Sequence, residues 1–109
     1  MADTYAILGQ SNPSAATLTD AYTVPAATTA IVSSIVVANR STTATSFRIS
    51  LAVEGAADDD KQYIYYDLVI DNNDTFVATI GITLGPRDVV RVYATLATLS
   101  FTILGAEIT

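Results

Sequence analysis

From Ala21 to Asn39 the chain carries no charged residue. The stretch reads AYTVPAATTAIVSSIVVAN, and its second half is dominated by Val, Ile, Thr and Ser. Its length approaches that of a membrane span. Pro25, Thr28, Thr29, Ser33 and Ser34 nevertheless make it too polar and too β-prone for a helix in lipid. What fits is a turn at Val24-Pro25-Ala26-Ala27, then a strand over roughly Thr29–Ala38 that stops at Asn39-Arg40-Ser41. A strand without charge belongs between layers or against another copy of the chain.

The remaining sequence alternates with period two, and no segment sustains a helical apolar stripe. Over Thr45–Glu54, Phe47, Ile49, Leu51 and Val53 share one face, and Arg48, Ser50, Ala52 and Glu54 the other. Over Lys61–Ile70, Ile64, Tyr66, Leu68 and Ile70 share one face, and Tyr63, Tyr65, Asp67 and Val69 the other. Asp71-Asn72-Asn73-Asp74 breaks the pattern, Thr75–Thr83 resumes it, and Leu84-Gly85-Pro86-Arg87 turns the chain again. In Val89–Thr95, Val90, Val92 and Ala94 lie together; beyond it, Leu99, Phe101 and Ile103 do. Weaker strands cover Tyr5–Leu8 and Thr17–Val24. The total is about eight antiparallel strands with turn signals at sandwich-like spacing. The expectation is one all-β domain over residues 1–109, a β-sandwich of jelly-roll type, with immunoglobulin-like topology as the second choice.

Half of the 109 residues are hydrophobic, and the mean hydropathy is +0.41. A domain this small cannot hide so much apolar surface, which points to self-association or docking on a larger assembly. Five basic against eleven acidic residues leave a net charge of −6. Such a surface repels phosphate backbones, so nucleic acid is not an expected partner; neither is a membrane. MADTYAILGQ lacks the basic and apolar regions of a secretory signal. The triplets Asn39-Arg40-Ser41 and Asn73-Asp74-Thr75 therefore read as turns rather than glycan acceptors. Met1–Gln10 and Gly105–Thr109 are candidate partner-binding arms.

Histidine and cysteine are both absent. That removes the usual general base, the imidazole metal ligand and the thiolate nucleophile, and it rules out a Ser/His/Asp triad. The single lysine, Lys61, follows Asp58-Asp59-Asp60, which keep it protonated and useless to a Ser–Lys dyad. Glu54, Asp67 and the turn aspartates are candidates for a paired-carboxylate glycosidase, but tryptophan is absent and an aromatic sugar cleft is hard to build. Asp58, Asp59 and Asp60, with Asp71 and Asp74, offer hard oxygens for calcium, yet not in the spacing of a known calcium loop. A solvated, charge-rich loop is the simpler reading. No catalytic residue, metal or cofactor is assigned. Tyr63, Tyr65 and Tyr66 are the candidate partner contacts, because tyrosine suits a half-wet interface. The alternative is that one face of this strand packs into the core.

Tyr22-Thr23-Val24-Pro25, a short Ala/Thr spacer and Ser33-Ser34-Ile35-Val36-Val37-Ala38-Asn39-Arg40 resemble the opening of small virion structural proteins of tailed bacteriophages. So do Tyr63-Ile64-Tyr65-Tyr66-Asp67, Asp74-Thr75-Phe76 leading into Thr79–Leu84, and Asp88–Ala94. The resemblance runs from about Leu8 to the C-terminus. It implies a β-sandwich that is assembled in the host cytoplasm into the virion. There it would act as a capsid cement or decoration protein, often trimeric, docked on the major capsid protein. A neck, baseplate or tail-fibre part bound to tail proteins is the other role it implies. A carbohydrate- or receptor-binding module is an alternative of a different class.

Overall fold

Strand β3 (Thr29–Asn39) runs through the middle of one sheet, as its lack of charge requires. The computed structural model describes residues 3–109, which form nine strands. The others are β1 (Asp3–Ser11), β2 (Thr19–Thr23), β4 (Thr45–Ala52), β5 (Tyr63–Ile70), β6 (Thr75–Ala78), β7 (Ile82–Leu84), β8 (Val89–Ala94) and β9 (Leu99–Ile108). The first sheet has the order β1-β9-β3-β6, with β7 on the same flank of β3 as β6; the second has the order β2-β8-β4-β5. All pairings are antiparallel and nested: β1 with β9, β2 with β8, β3 with β6 and β7, and β4 with β5. The chain is thus one long hairpin, four pairs deep, rolled into two layers. That is a jelly roll rather than an immunoglobulin-like arrangement.

The inner faces follow the alternation closely. Ala30, Val32, Ile35 and Val37 of β3 are buried with Phe47 and Ile49 of β4, Val90, Val92 and Ala94 of β8, and Leu99, Phe101 and Ile103 of β9. The step from Val32 to Ile35 is three residues, not two. A bulge at Ser33-Ser34 absorbs the extra residue and restores the inward phase. Across from it, the expected strand Thr75–Thr83 is divided into β6 and β7 at Thr79-Ile80-Gly81. Phe47 joins the layers through tilted and edge-on contacts with Tyr65, Phe76 and Phe101, at centroid distances of 6.3, 5.6 and 6.0 Å.

Two close approaches hold the ends of the roll. A Cβ on Gly105 would fall 2.0 Å from the Ile31 carbonyl oxygen, and one on Gly9 2.3 Å from that of Ala21. The first lets β9 pass the β3 bulge. The second lets β1 of one sheet touch β2 of the other. Nearby, the Tyr22 hydroxyl donates to Glu107 at 2.6 Å, a polar clasp between the sheets. Burial first, and then the Glu107 carboxylate, raise the Tyr22 pKa.

Ser50 and Ala52 were expected on a solvated face but are buried. They do point away from the core. The Val53–Gln62 segment folds back over them, and over Val89, as two 3-10 turns at Val53–Gly55 and Asp60–Gln62. Arg91 pins this segment by donating to the carbonyls of Ala56 and Gly55 at 2.7 and 3.1 Å. Val53, predicted to face the core, is instead 70% exposed because β4 has already ended. The candidate terminal arms are not free: Asp3–Gln10 pairs with Thr102–Ile108 of β9, while Met1 and Ala2 lie outside the described residues. Asn39 ends β3 with its side-chain amide donating to the carbonyls of Thr43 and Asp71, so its buried nitrogen is already occupied.

Gly105→Ala forces the β9 and β3 backbones apart and is expected to lower stability by about 2 kcal/mol, as overpacking does. Thermal denaturation followed by circular dichroism reads this as a fall in Tm of about 8 °C.

Candidate functional site

The tyrosine-bearing strand β5 is not a regular ladder partner of β4. Phe47 pairs with Leu68, Ile49 with Tyr65 and Ser50 with Tyr63. Tyr66 and Asp67 therefore stand together opposite the single residue Arg48, and Ile64 is a second extra residue. Asp67 takes a left-handed backbone, φ 53°, to make the first bulge.

These bulges rearrange the predicted faces. Tyr63 and Tyr65 were expected side by side with Tyr66 across the strand. Instead Tyr65 points inward onto Phe47 and Phe76, and Tyr63 and Tyr66 share the outer face, edge to face at 5.1 Å. Tyr65 is thus part of the core rather than of a contact surface.

Arg48 organises the outer face. Its guanidinium lies over Tyr66 at 4.1 Å and over Tyr93 of the neighbouring strand β8 at 4.4 Å. It also donates to both carboxylate oxygens of Asp67, at 2.7 and 3.3 Å. The Asp67 hydrogen bond, ahead of the smaller effects of its surroundings, raises the Arg48 pKa. A planar, forked cation can stack between two rings and still bind a carboxylate edge-on, which an ammonium cannot. At the end of the row the Tyr63 hydroxyl donates to Asp58 at 2.8 Å. Burial first, and then the Asp58 carboxylate, push the Tyr63 pKa up to about 12. A shallow depression of about 440 Å³ lies beside this row, lined by Asp60, Tyr63 and Tyr66.

The other groups singled out in the sequence do not converge. Glu54 pairs with Arg87 at 3.0 Å and Asp67 with Arg48, so the two carboxylates sit in separate ion pairs. Asp58–Asp60 lie before β5 and Asp71 and Asp74 after it, an eight-residue strand apart. That length is about 26 Å, too far for one calcium ion. Among the described residues no three or more acidic side chains gather into a group that could hold a metal. Arg91, the remaining paired arginine among these residues, meets Asp20 at 3.1 Å. No helix among the described residues is long and apolar enough to cross a membrane. Sequence reasoning missed Arg48 and Tyr93, because only the β4–β8 register sets them opposite one another.

No protein-family model, curated protein or solved structure matches this chain.

Arg48→Ala removes an ion pair and two cation–π contacts from a partly exposed site and is expected to lower stability by about 1 kcal/mol. Arg48→Lys should recover less than half of that in urea denaturation, because the fork is lost. For Tyr63 the pH dependence has a definite sign. An unfolded tyrosine loses its proton near pH 10, whereas the folded one keeps it to about 12. Stability therefore falls as pH rises through that window. Tyr63→Phe should remove its share of this fall, and phenolate absorbance should show Asp58→Asn lowering the Tyr63 midpoint only part of the way to 10, since burial remains.

Proposed function

We propose that this protein is a structural virion component of a tailed bacteriophage, a capsid cement or decoration protein that self-associates and docks on the head lattice. The observation that carries this reading is how the surface divides. Arg48, Arg87 and Arg91 are spent on internal ion pairs, while Tyr5, Ile7, Val69 and Val77 are more than half exposed. That suits contact with other protein rather than chemistry on a small molecule. The sequence resemblance points the same way. The jelly roll agrees by analogy, since viral capsid proteins use it, although lectins do too. A sugar-binding surface is less well supported: one face of the Tyr66 ring is covered by Arg48, and the Tyr63 ring stands edge-on to it.

Purified phage particles provide the test, by mass spectrometry and electron cryomicroscopy. A copy at every lattice position of the head is the expected result. A single ring of copies at the neck or baseplate would move the protein to the tail. Absence from the particles would end the virion reading.

A further inference from the structure

A sandwich has four strand edges, and three of them here are blunted. β5 is broken by two bulges and β2 by one; β6 and β7 are four and three residues long. Short or bulged edges resist pairing with another chain. β1 is different. It is nine residues long, it pairs with β9 on one side, and among the described residues no strand pairs with its other side. Its one bulge lies beyond Ile7, and its register is regular from Asp3 to Ile7, longer than the whole regular run of β2. All five of those residues are exposed, Tyr5 to 80% and Ile7 to 57%. β1 contains no lysine, arginine or proline to discourage a partner strand.

The outer face beside this edge is apolar as well. Tyr5, Ile7, Ile31, Leu104 and Ala106, with Asp3 among them, line a shallow, mainly apolar depression of about 550 Å³.

We propose that the Asp3–Ile7 edge of β1 pairs antiparallel with the same edge of a second copy, joining two first sheets into one continuous sheet across a two-fold axis. This rests on the lattice-protein reading and names the surface through which copies would meet.

Charge permits a copy of this chain at this edge, and the self-complementary register favours it as the occupant. The molecule carries −6 overall, so two copies repel over most of their surfaces, but Thr4–Ser11 is uncharged. With the axis at Tyr5, Asp3 falls opposite Ile7 of the second copy, and no like charges meet. Tyr5 then faces Tyr5, a favourable cross-strand aromatic pair. The two Tyr5 rings, the Ile7 side chains and the strand edges make a small contact, below the roughly 1,200 Å² of a standard interface and in the range of weak, transient ones. Such a contact is weak alone and gains when a lattice holds copies side by side. The contact is isologous, so it produces a dimer and not the trimer that the resemblance implies.

Sedimentation across micromolar to millimolar concentration tests this on the full chain. Wild type is expected to pass from monomer to dimer, and Tyr5→Lys to weaken that step at least tenfold by placing two ammonium groups across the axis. Val77→Lys, also more than half exposed but on β6, should leave it unchanged. Circular dichroism confirms that both variants fold, and amides of Thr4 and Ala6 should exchange more slowly in the dimer. A monomer at all concentrations, a trimer, or a dimer indifferent to Tyr5→Lys would overturn the proposal. If the protein is in the particle but monomeric in solution, the edge pairing fails and the virion reading stands. If it dimerises through β1 but is absent from particles, the reverse holds.

Discussion

Everything in this fold depends on keeping one face of each strand turned toward the apolar interlayer. A strand alternates strictly, so a single extra residue would send every later side chain to the wrong side. The sequence contains such extra residues, and bulges absorb them. Ser33-Ser34 resets β3 so that Val32 and Ile35 both face inward. In β5 the doubled residues let Tyr65, Leu68 and Ile70 align with Ile49, Phe47 and Thr45 although their spacing is irregular. The price is local twist and a left-handed residue at Asp67.

The same correction creates the most ordered part of the surface. Because Tyr66 and Asp67 stand opposite one residue, Arg48 can meet an aromatic face and a carboxylate at once. The row from Tyr93 to Asp58 satisfies itself, leaving little charge to direct toward a ligand. By contrast, β1 presents one backbone edge and the exposed Tyr5 and Ile7, which no strand pairs among the described residues. The two sheets thus differ: the outer face of the second satisfies its own charges, and the first leaves the β1 edge unpaired among the described residues.

Alternation alone made β8 and β9 legible, because Val90, Val92, Ala94, Leu99, Phe101 and Ile103 never leave phase. β3 was legible from its missing charge. The faces of β5 were not, since nothing in Tyr63–Ile70 marks Ile64 or Asp67 as an extra residue; the bulges exist only against β4. Ser50 and Ala52 were misread for another reason. They lie on the outer side of β4, as their period requires, and a loop from later in the chain covers them. Tyr22 and Glu107, 85 positions apart, meet only after the roll closes. Local pattern therefore reached the core and stopped at the contacts that pairing register and loop return create.

The pairing of β1 with β9 sets Asp3 beside Ile108, so the first residue of β1 and the last of β9 lie at the same pole. Tension applied between the two ends acts across the ladder and strains its hydrogen bonds one rung at a time. The roll would peel open from that pole like a zipper, giving way at low force. Held instead by its flanks, with load spread along β3 and its neighbours, the same molecule would have to break many bonds together. Its mechanical strength depends on where it is gripped.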